Sequence, residues 1–131
     1  MKSILGGLSC VVFLTLVGCG KPEEVSIPPG NEAKAEHPWE WIPDEPDLAA
    51  GREIYLSECA MCHNEGEEGA PVLGLAEDWN ARVARGEAAL IRNAIDGFIG
   101  SDGEMPARGG SDFLTDGQVS QAVRFMIAIN K

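Results

Sequence analysis

Basic residues, aromatic side chains and long apolar runs are all scarce in this sequence. Its 131 residues include 10 Lys and Arg against 21 Asp and Glu, for a net charge of −11, and 6% of them are aromatic. Nucleic acids and anionic membrane surfaces both attract basic patches, so this acidic excess argues against either as a partner. No apolar run reaches the roughly 20 residues that a membrane-spanning helix needs. Runs typical of β-strands are missing too, and the length suits one domain.

Two of the four cysteines lie in one short motif, Cys59-Ala60-Met61-Cys62-His63. This is the C-x-x-C-H sequence to which a c-type haem is attached. Thiols three positions apart can form thioethers with both vinyl groups of one haem edge. The adjacent imidazole of His63 then lies over the iron as its proximal ligand. The motif therefore predicts one covalent haem c.

Two other uses of a C-x-x-C pair are less well supported. A thioredoxin-like redox pair requires a parallel βαβ pattern around the motif, and no strand pattern surrounds this one. A zinc site needs about four ligands. The remaining cysteines, Cys10 and Cys19, lie near the N-terminus, and His37 is the other histidine.

Residues 1–18 are typical of an export signal. Lys2 precedes an uncharged apolar run from Ile4 to Val17, which is too short to cross a membrane comfortably. Leu16-Val17-Gly18-Cys19 resembles the lipobox of bacterial lipoproteins, which implies cleavage before Cys19 and lipidation of its thiol. An ordinary cleaved signal and an uncleaved anchor are the alternatives. We expect a periplasm-facing protein of the bacterial cell envelope, held on a membrane by lipid alone.

Residues 19–46 are predicted to be a lipid-anchored linker. They contain six of the eight prolines and several glutamates, without apolar periodicity, which is typical of extended, mobile chain. His37-Pro38-Trp39-Glu40-Trp41 is the exception. The two tryptophans either pack back on the following domain or form a docking site for a partner or the membrane interface.

Residues 47–131 are predicted to be a helical domain. Asp47 is a candidate N-cap for a helix over residues 48–57, and apolar periodicity predicts further helices over residues 77–84 and 87–95. Thr115 and Gln118 form a capping box for a last helix that ends near Ile129. Residues 97–110 contain five glycines and show no regular pattern.

Met105 is the candidate for the second axial ligand. It lies in the glycine-rich stretch that could fold over the iron, whereas Met1 is the initiator, Met61 is inside the motif and Met126 is in the last helix. A thioether is a soft ligand suited to haem iron, and His/Met ligation raises the reduction potential. The alternatives are a buried, gap-filling Met105 and ligation by His37.

Residues 47–131 together resemble a class I c-type cytochrome. Glu104-Met105-Pro106-Ala107-Arg108-Gly109-Gly110 is similar to the M-P-P-[KR]-G-G ligand loop of the cytochrome c-five subfamily, with Ala107 replacing the second proline. The resemblance implies an all-α fold in which about four helices pack around one covalent haem. It also implies that the first and last helices cross where Gly51 and Tyr55 meet Ala122 and Phe125.

The resemblance further implies how haem is surrounded. The carbonyl of Pro71 would accept a hydrogen bond from Nδ1 of His63, which fixes the ring and raises its basicity. Leu73 would lie against the haem face. The alternatives are an ordinary turn for Pro71 and a core position for Leu73. Trp79 would cover the haem with its indole N–H free to reach a propionate, unless it is a plain core residue. Arg82 and Arg85 could neutralise the propionates or lie on an ordinary solvated face.

Axial ligands on both faces would leave no place for a substrate, so we expect a one-electron carrier and not an enzyme. It would cycle between Fe(III) and Fe(II) in a respiratory or related periplasmic chain. The acidic residues expected near the thioether edge predict a redox partner with a basic docking surface; they are Glu65, Glu67, Glu68, Asp102 and Glu104. The alternatives are a haem subunit of a larger oxidase or reductase and, if Met105 is labile, a small peroxidase or gas-binding protein.

Overall fold

The computed structural model describes residues 37–131. The predicted export signal of residues 1–18, the candidate lipid attachment site Cys19 and linker residues 20–36 lie outside the described residues. From residue 37 onwards, no helix is both long enough and apolar enough to cross a membrane.

Five α-helices and one small hairpin form the described part of the chain. The helices are α1 (Pro46–Ile54), α2 (Ala60–His63), α3 (Ala76–Val83), α4 (Glu87–Asp96) and α5 (Asp116–Ile129). Strands β1 (Phe98–Ile99) and β2 (Glu104–Met105) pair antiparallel, and short 3-10 turns lie at Pro38–Glu40, Glu67–Gly69 and Ala107–Gly110. Four of the helices have eight or more residues. The predicted small all-α fold is confirmed.

Helix α1 begins two residues before its predicted start, and Asp47 is not its N-cap. Pro46 takes the first helical position, where the missing N–H has no intrahelical partner to lose. The Asp47 carboxylate instead accepts hydrogen bonds from Gln121 Nε2 at 2.7 Å and from Arg124 at 3.3 Å. Arg124 also donates to Glu87 at 2.9 Å. Asp47 therefore joins α1 to α5 by hydrogen bonds instead of capping α1, and Arg124 also joins α5 to α4.

The predicted helix over residues 48–57 is replaced near its end by a different helical turn. The chain passes from α1 into a π-helical turn over Tyr55–Cys59 and directly into α2. The Ala60 N–H donates to the carbonyl of Tyr55, five residues earlier. Single π turns are frequent at functional sites, and this one leads straight into the C-x-x-C-H motif.

Helices α1 and α5 cross at Gly51 with almost no space between their backbones. A Cβ added to Gly51 would lie 2.2 Å from the carbonyl oxygen of Gln121 and 3.2 Å from Cβ of Phe125. One turn further along the chain, at the start of the π-helical turn, the fully buried ring of Tyr55 packs on the equally buried ring of Phe125, with 5.6 Å between the ring centroids. The predicted crossing at Gly51, Tyr55 and Phe125 is confirmed. The nearest backbone atom to the Cβ added at Gly51 is the Gln121 carbonyl oxygen, and Ala122, the next residue, is buried.

Helix α5 carries most of the core. It begins at the predicted capping box, in which the Gln118 N–H donates to Thr115 Oγ1 at 3.3 Å. Five of its six buried residues belong to two apolar clusters, which also contain residues from other elements. The first contains Tyr55, Leu73, Trp79, Phe125 and Met126, and the second contains Ala94, Val119, Val123 and Ile127. One long amphipathic helix thus holds α1 and α4 together.

The glycine-rich stretch over residues 97–110, for which no regular structure was expected, contains the β-hairpin. Phe98 pairs with Met105 and Ile99 pairs with Glu104. The turn between the strands is closed by the Gly100 N–H, which donates to the Gly103 carbonyl at 2.9 Å. Strands of two residues are too short to produce a period-2 pattern in the sequence. The hairpin places Met105 in regular backbone and not in an open loop.

Residues 37–45 were assigned to the mobile linker, but they pack on the helical domain. The backbone of Pro38–Glu40 forms a 3-10 turn, so the two tryptophans do not follow an extended chain. The Trp39 carbonyl accepts a hydrogen bond from Arg52 Nε at 2.9 Å. The Trp41 ring stacks on Phe125 at 6.0 Å. Burial of aromatic surface offsets the conformational entropy lost when this segment orders.

Candidate functional site

A cavity of about 420 Å³ lies between the helices and the hairpin. Its size falls within the range of roughly 300–1,000 Å³ that is usual for cofactor sites. Cys59, Cys62 and His63 line it from the π turn and α2, and Met105 lines it from β2. The structure therefore brings together the four residues predicted to hold the haem and its iron.

His63 is held by the loop that follows it. Its side chain is buried, with 7% exposed, and Nδ1 lies 2.9 Å from the Pro71 carbonyl oxygen. The Leu73 N–H donates to the His63 carbonyl at 2.8 Å. Because Nδ1 donates to Pro71, the neutral ring carries its lone pair on Nε2. This is the hydrogen bond that the family resemblance implied, and it leaves Nε2 available to a metal.

Electrostatics favour the neutral form of His63. Burial lowers the pKa of the His63 imidazole, and the positive charge of Arg82 lowers it further, against the opposing effect of the hydrogen bond to Pro71. The neutral imidazole is the form that coordinates metal. The site thus keeps His63 ready for ligation without a proton having to leave first.

Helix α3 fixes the segment that holds His63. Asp78 accepts a hydrogen bond from the Val72 N–H at 2.8 Å, and Trp79 Nε1 donates to the Val72 carbonyl at 2.7 Å. Both backbone groups of Val72 are therefore satisfied by side chains from the start of α3. Since Val72 follows Pro71 directly, these two bonds also fix the carbonyl that orients His63.

The expected orientation of the Trp79 indole was wrong, and Leu73 lies in a core cluster. Trp79 does line the cavity, but its indole N–H is bonded to Val72 and is not free for a propionate. Leu73 packs with Tyr55 and Phe125 in the first core cluster, and the residues lining the cavity do not include it. For Trp79, the hydrogen bond to the Val72 carbonyl decides the orientation of the indole, which sequence spacing does not show.

Among residues 37–131, the three methionines and His37 differ in whether they reach the cavity. Met61 is 85% exposed, and Met126 lines the cavity from α5 but is also a member of the first core cluster. Met105 lines the cavity from the hairpin and packs against the second cluster. His37 stacks on Trp39 at 4.6 Å and is exposed, outside the set of cavity-lining residues.

The structure argues against the redox and zinc alternatives for the C-x-x-C pair. Burial, with help from Glu58 and Cys62, raises the pKa of the Cys59 thiol to about 11. A redox cysteine needs the opposite shift, because the thiolate is the reactive form. Among residues 37–131, no three His, Cys, Asp or Glu side chains are grouped in a way that could hold a metal ion.

Charged groups surround the mouth of the cavity. Of the five carboxylates expected there, the structure places Glu67, Glu68, Asp102 and Glu104 along the cavity, whereas Glu65 is not among its lining residues. Arg82 and Arg85 also line it, and Arg85 lies over the Phe98 ring at 5.7 Å. The lining residues that sequence reasoning missed include Glu58, Asn93 and Phe98. Asn93 interrupts the apolar stripe of α4, which was the available signal.

These residues fit a covalent haem. The cavity combines two thiols at the attachment spacing with a buried neutral imidazole and a thioether, which are ligands suited to haem iron. The fold and this site together define a small helical haem protein of the c type.

Comparisons with known proteins agree with this class. Residues 46–126 match the family described as cytochrome c oxidase, cbb3-type, subunit III. The chain belongs to this family of cytochrome c domains. It therefore binds haem c covalently and functions in electron transfer.

Several characterised relatives are small cytochromes. The chain is 44% identical over 85 residues to cytochrome c-555 of Chlorobaculum thiosulfatiphilum, which covers 65% of this chain and 99% of the relative. It is 34% identical over 82 residues to cytochrome c-551 of Halorhodospira halochloris, which covers 60% of this chain and 95% of that protein. A chain from a crystal structure of an electron-transfer complex of nitrite reductase with cytochrome c matches with a TM-score of 0.56 and 31% identity, over 66% of this chain and 98% of that one.

Proposed function

We propose that the chain is a lipid-anchored one-electron carrier in which His63 and Met105 are the axial ligands and Cys59 and Cys62 form the thioethers. The observation that carries this proposal is that one cavity is lined by all four residues. In it, His63 Nδ1 donates a hydrogen bond to the Pro71 carbonyl, which leaves Nε2 available to the iron. When bound there, haem supplies a reversible one-electron couple between Fe(III) and Fe(II).

The protein's part in this function is to hold ligands and exclude competing molecules. The bond to Pro71 holds the imidazole of His63 in a single orientation, and Trp79 and Met126 supply buried walls. With a nitrogen and a sulfur ligand both supplied by the chain, no open coordination position is left for a substrate. Such a site favours electron exchange over catalysis.

A redox-titrated visible spectrum of the purified protein tests this function. We expect a single haem c with one-electron behaviour and, in the oxidised form, a thioether-to-iron charge-transfer band that persists in modest concentrations of cyanide. A colourless protein, or one whose oxidised form readily takes up cyanide, would contradict the carrier function. The second result would instead favour a peroxidase or a gas-binding protein.

Acidic residues at the cavity mouth support a basic docking surface on the redox partner. Glu58, Glu67, Glu68 and Glu104 lie there with Asp102, and Arg82 and Arg85 offset only part of their charge. Opposite charges accelerate encounter, and salt screens them over about 8 Å at physiological ionic strength. We expect electron exchange with a basic partner protein to slow as salt is added, in stopped-flow measurements. A rate independent of ionic strength would contradict this partner chemistry.

The lipid anchor is proposed from the sequence at Leu16-Val17-Gly18-Cys19. Replacing Cys19 with serine should move the protein from the membrane pellet to the soluble periplasmic fraction without changing its haem spectrum, because one lipid-bearing thiol would be lost and the domain left intact. Cys10→Ser is the matched control, since Cys10 lies inside the segment predicted to be removed. Equal membrane retention of both variants would exclude the anchor.

A second candidate is a permanently docked haem subunit, and the description of the matching family favours it. The Trp41 ring keeps 39% of its surface exposed and Ile42 keeps 63%, so part of the 37–45 segment is open to a partner. Extraction in mild detergent separates the two candidates. Copurification in fixed ratio with a larger oxidase or reductase would favour the subunit, and isolation of the free protein would favour the mobile carrier.

A further inference from the structure

The backbone touches itself at two glycines on the rim of the cavity. A Cβ added to Gly69 would lie 1.9 Å from the carbonyl oxygen of Asp102, and one added to Gly103 would lie 1.8 Å from that of Glu68. The contact is reciprocal, because each glycine faces the carbonyl of the residue that precedes the other. We refer to Gly69 and Gly103 as the glycine clasp.

The clasp joins the two halves of the candidate iron site. On one side, the loop containing Gly69 follows directly from α2, where the Gly66 N–H donates to the Cys62 carbonyl at 2.9 Å. The same loop leads into Pro71, which orients His63. On the other side, Gly103 immediately precedes β2, the strand that contains Met105. The clasp thus connects the His63 side of the cavity to the Met105 side through a short length of backbone.

The loop on the Gly69 side of the clasp has a strained backbone conformation, which its surroundings must stabilise. Glu68 has a left-handed backbone with φ of 53°, between Gly66 and Gly69, which are also left-handed. A non-glycine residue is disfavoured in this region, because its Cβ comes too close to the following carbonyl oxygen. Such strain persists only where the surroundings impose it. Arg82 adds an ion pair with Asp102 at 3.8 Å, which draws the turn of the hairpin towards α3.

We propose that the glycine clasp is a positioning device that holds the Met105 strand at the cavity and so keeps external ligands from the iron. This inference rests on the proposed ligation by His63 and Met105. If an external ligand binds only when the Met105 strand has moved away, its apparent affinity is scaled by the fraction of molecules in that open form. A looser clasp raises this fraction.

Gly103→Ala is the sharpest test, because Gly103, unlike Gly69, does not have a left-handed backbone. The new methyl group therefore opposes only the contact with Glu68 and not the local conformation. Imidazole titration of the oxidised protein, followed in the visible spectrum, is the measurement. We expect the dissociation constant for imidazole to fall about tenfold or more, corresponding to about 1.4 kcal/mol, with weakening of the thioether charge-transfer band.

Gly100→Ala is the matched control in the same turn. Its Cβ would lie 3.1 Å from the Phe98 ring, which is half-exposed and can rotate away, and 3.6 Å from the Gly103 carbonyl oxygen, which is an ordinary van der Waals contact. Imidazole affinity should stay near that of the unmodified protein. If Gly103→Ala lowers the unfolding temperature yet binds imidazole no more tightly than Gly100→Ala, the clasp has a structural role alone and the proposal is wrong.

A second variant tests the clasp if Gly103→Ala does not fold. One glycine inserted between Ser101 and Asp102 lengthens the turn and relaxes the contact without adding a side chain, and it should raise imidazole affinity in the same direction. Unchanged affinity in the folded insertion variant would overturn the clasp. The unmodified protein tests the underlying function separately: if it already lacks the charge-transfer band and takes up imidazole freely, the proposed ligation has failed and not the clasp.

Discussion

Replacing Met105 with histidine is expected to lower the reduction potential by on the order of 100–200 mV, part of the roughly 0.8 V range over which axial ligands set haem potentials. A thioether stabilises Fe(II) relative to Fe(III) more than an imidazole does, so its loss favours the oxidised protein. The Met105 side chain lines the cavity together with His63. The measurement is a spectroelectrochemical titration, in which the charge-transfer band should disappear as the potential falls.

Met126→Leu and Met61→Leu are the controls for this prediction. Met126 lines the same cavity from α5, and its replacement keeps an apolar side chain of similar volume in the first core cluster. Met61 is largely exposed. Both variants should retain the band and nearly the full potential. If Met126→Leu abolishes the band and Met105→His does not, the sulfur ligand has been assigned to the wrong residue.

Replacing Gly51 with alanine is expected to reduce the free energy of unfolding by about 2–3 kcal/mol, at the upper end of usual overpacking costs. The added Cβ would lie 2.2 Å from the Gln121 carbonyl oxygen, so α1 and α5 would have to separate. Better helix propensity returns only about 1 kcal/mol. For a domain of this size we expect the unfolding temperature to fall by about 10–20 °C in thermal circular dichroism.

Gly117→Ala is the matched control for Gly51→Ala. Gly117 is in the first turn of α5, and the nearest atom to its added Cβ is Thr115 Oγ1, 3.9 Å away. Without a clash, the helix propensity of alanine should leave the variant as stable as the parent or more stable by up to about 1 kcal/mol. Equal stability of the two variants would show that the helices can separate at the crossing without cost.

Much of the helical fold could be predicted because its signals are local. The capping box at Thr115 and the apolar stripe of α4 depend on residues within one or two turns, and both helices form where they were expected. The helix crossing at Gly51 depends on distant residues, yet its glycine and aromatic positions are shared with a known family. That resemblance supplied what local periodicity could not.

Other features depart from what local sequence signals indicate, because the packing of one segment on another decides them. Asp47 has the residue type of an N-cap, but Gln121 and Arg124 take its carboxylate once α5 packs on α1. The Trp79 indole was expected to face a propionate, but the Val72 carbonyl lies within its reach. For residues 37–45 the linker-like composition misled, but the alternative that Trp39 and Trp41 pack back on the domain is confirmed.

The sequence by itself determined that this protein binds a covalent haem, because the attachment chemistry needs only two thiols and an imidazole at fixed spacing along five residues. Tertiary structure alone decided which groups satisfy Val72, that the Trp79 indole bonds to the Val72 carbonyl, and that Gly69 meets Gly103. Gly69 and Gly103 are far apart in the chain, and the partners of Val72 meet it only because the loop packs against α3. Their geometry depends on how the helices and the hairpin pack, and no short stretch of sequence encodes that packing.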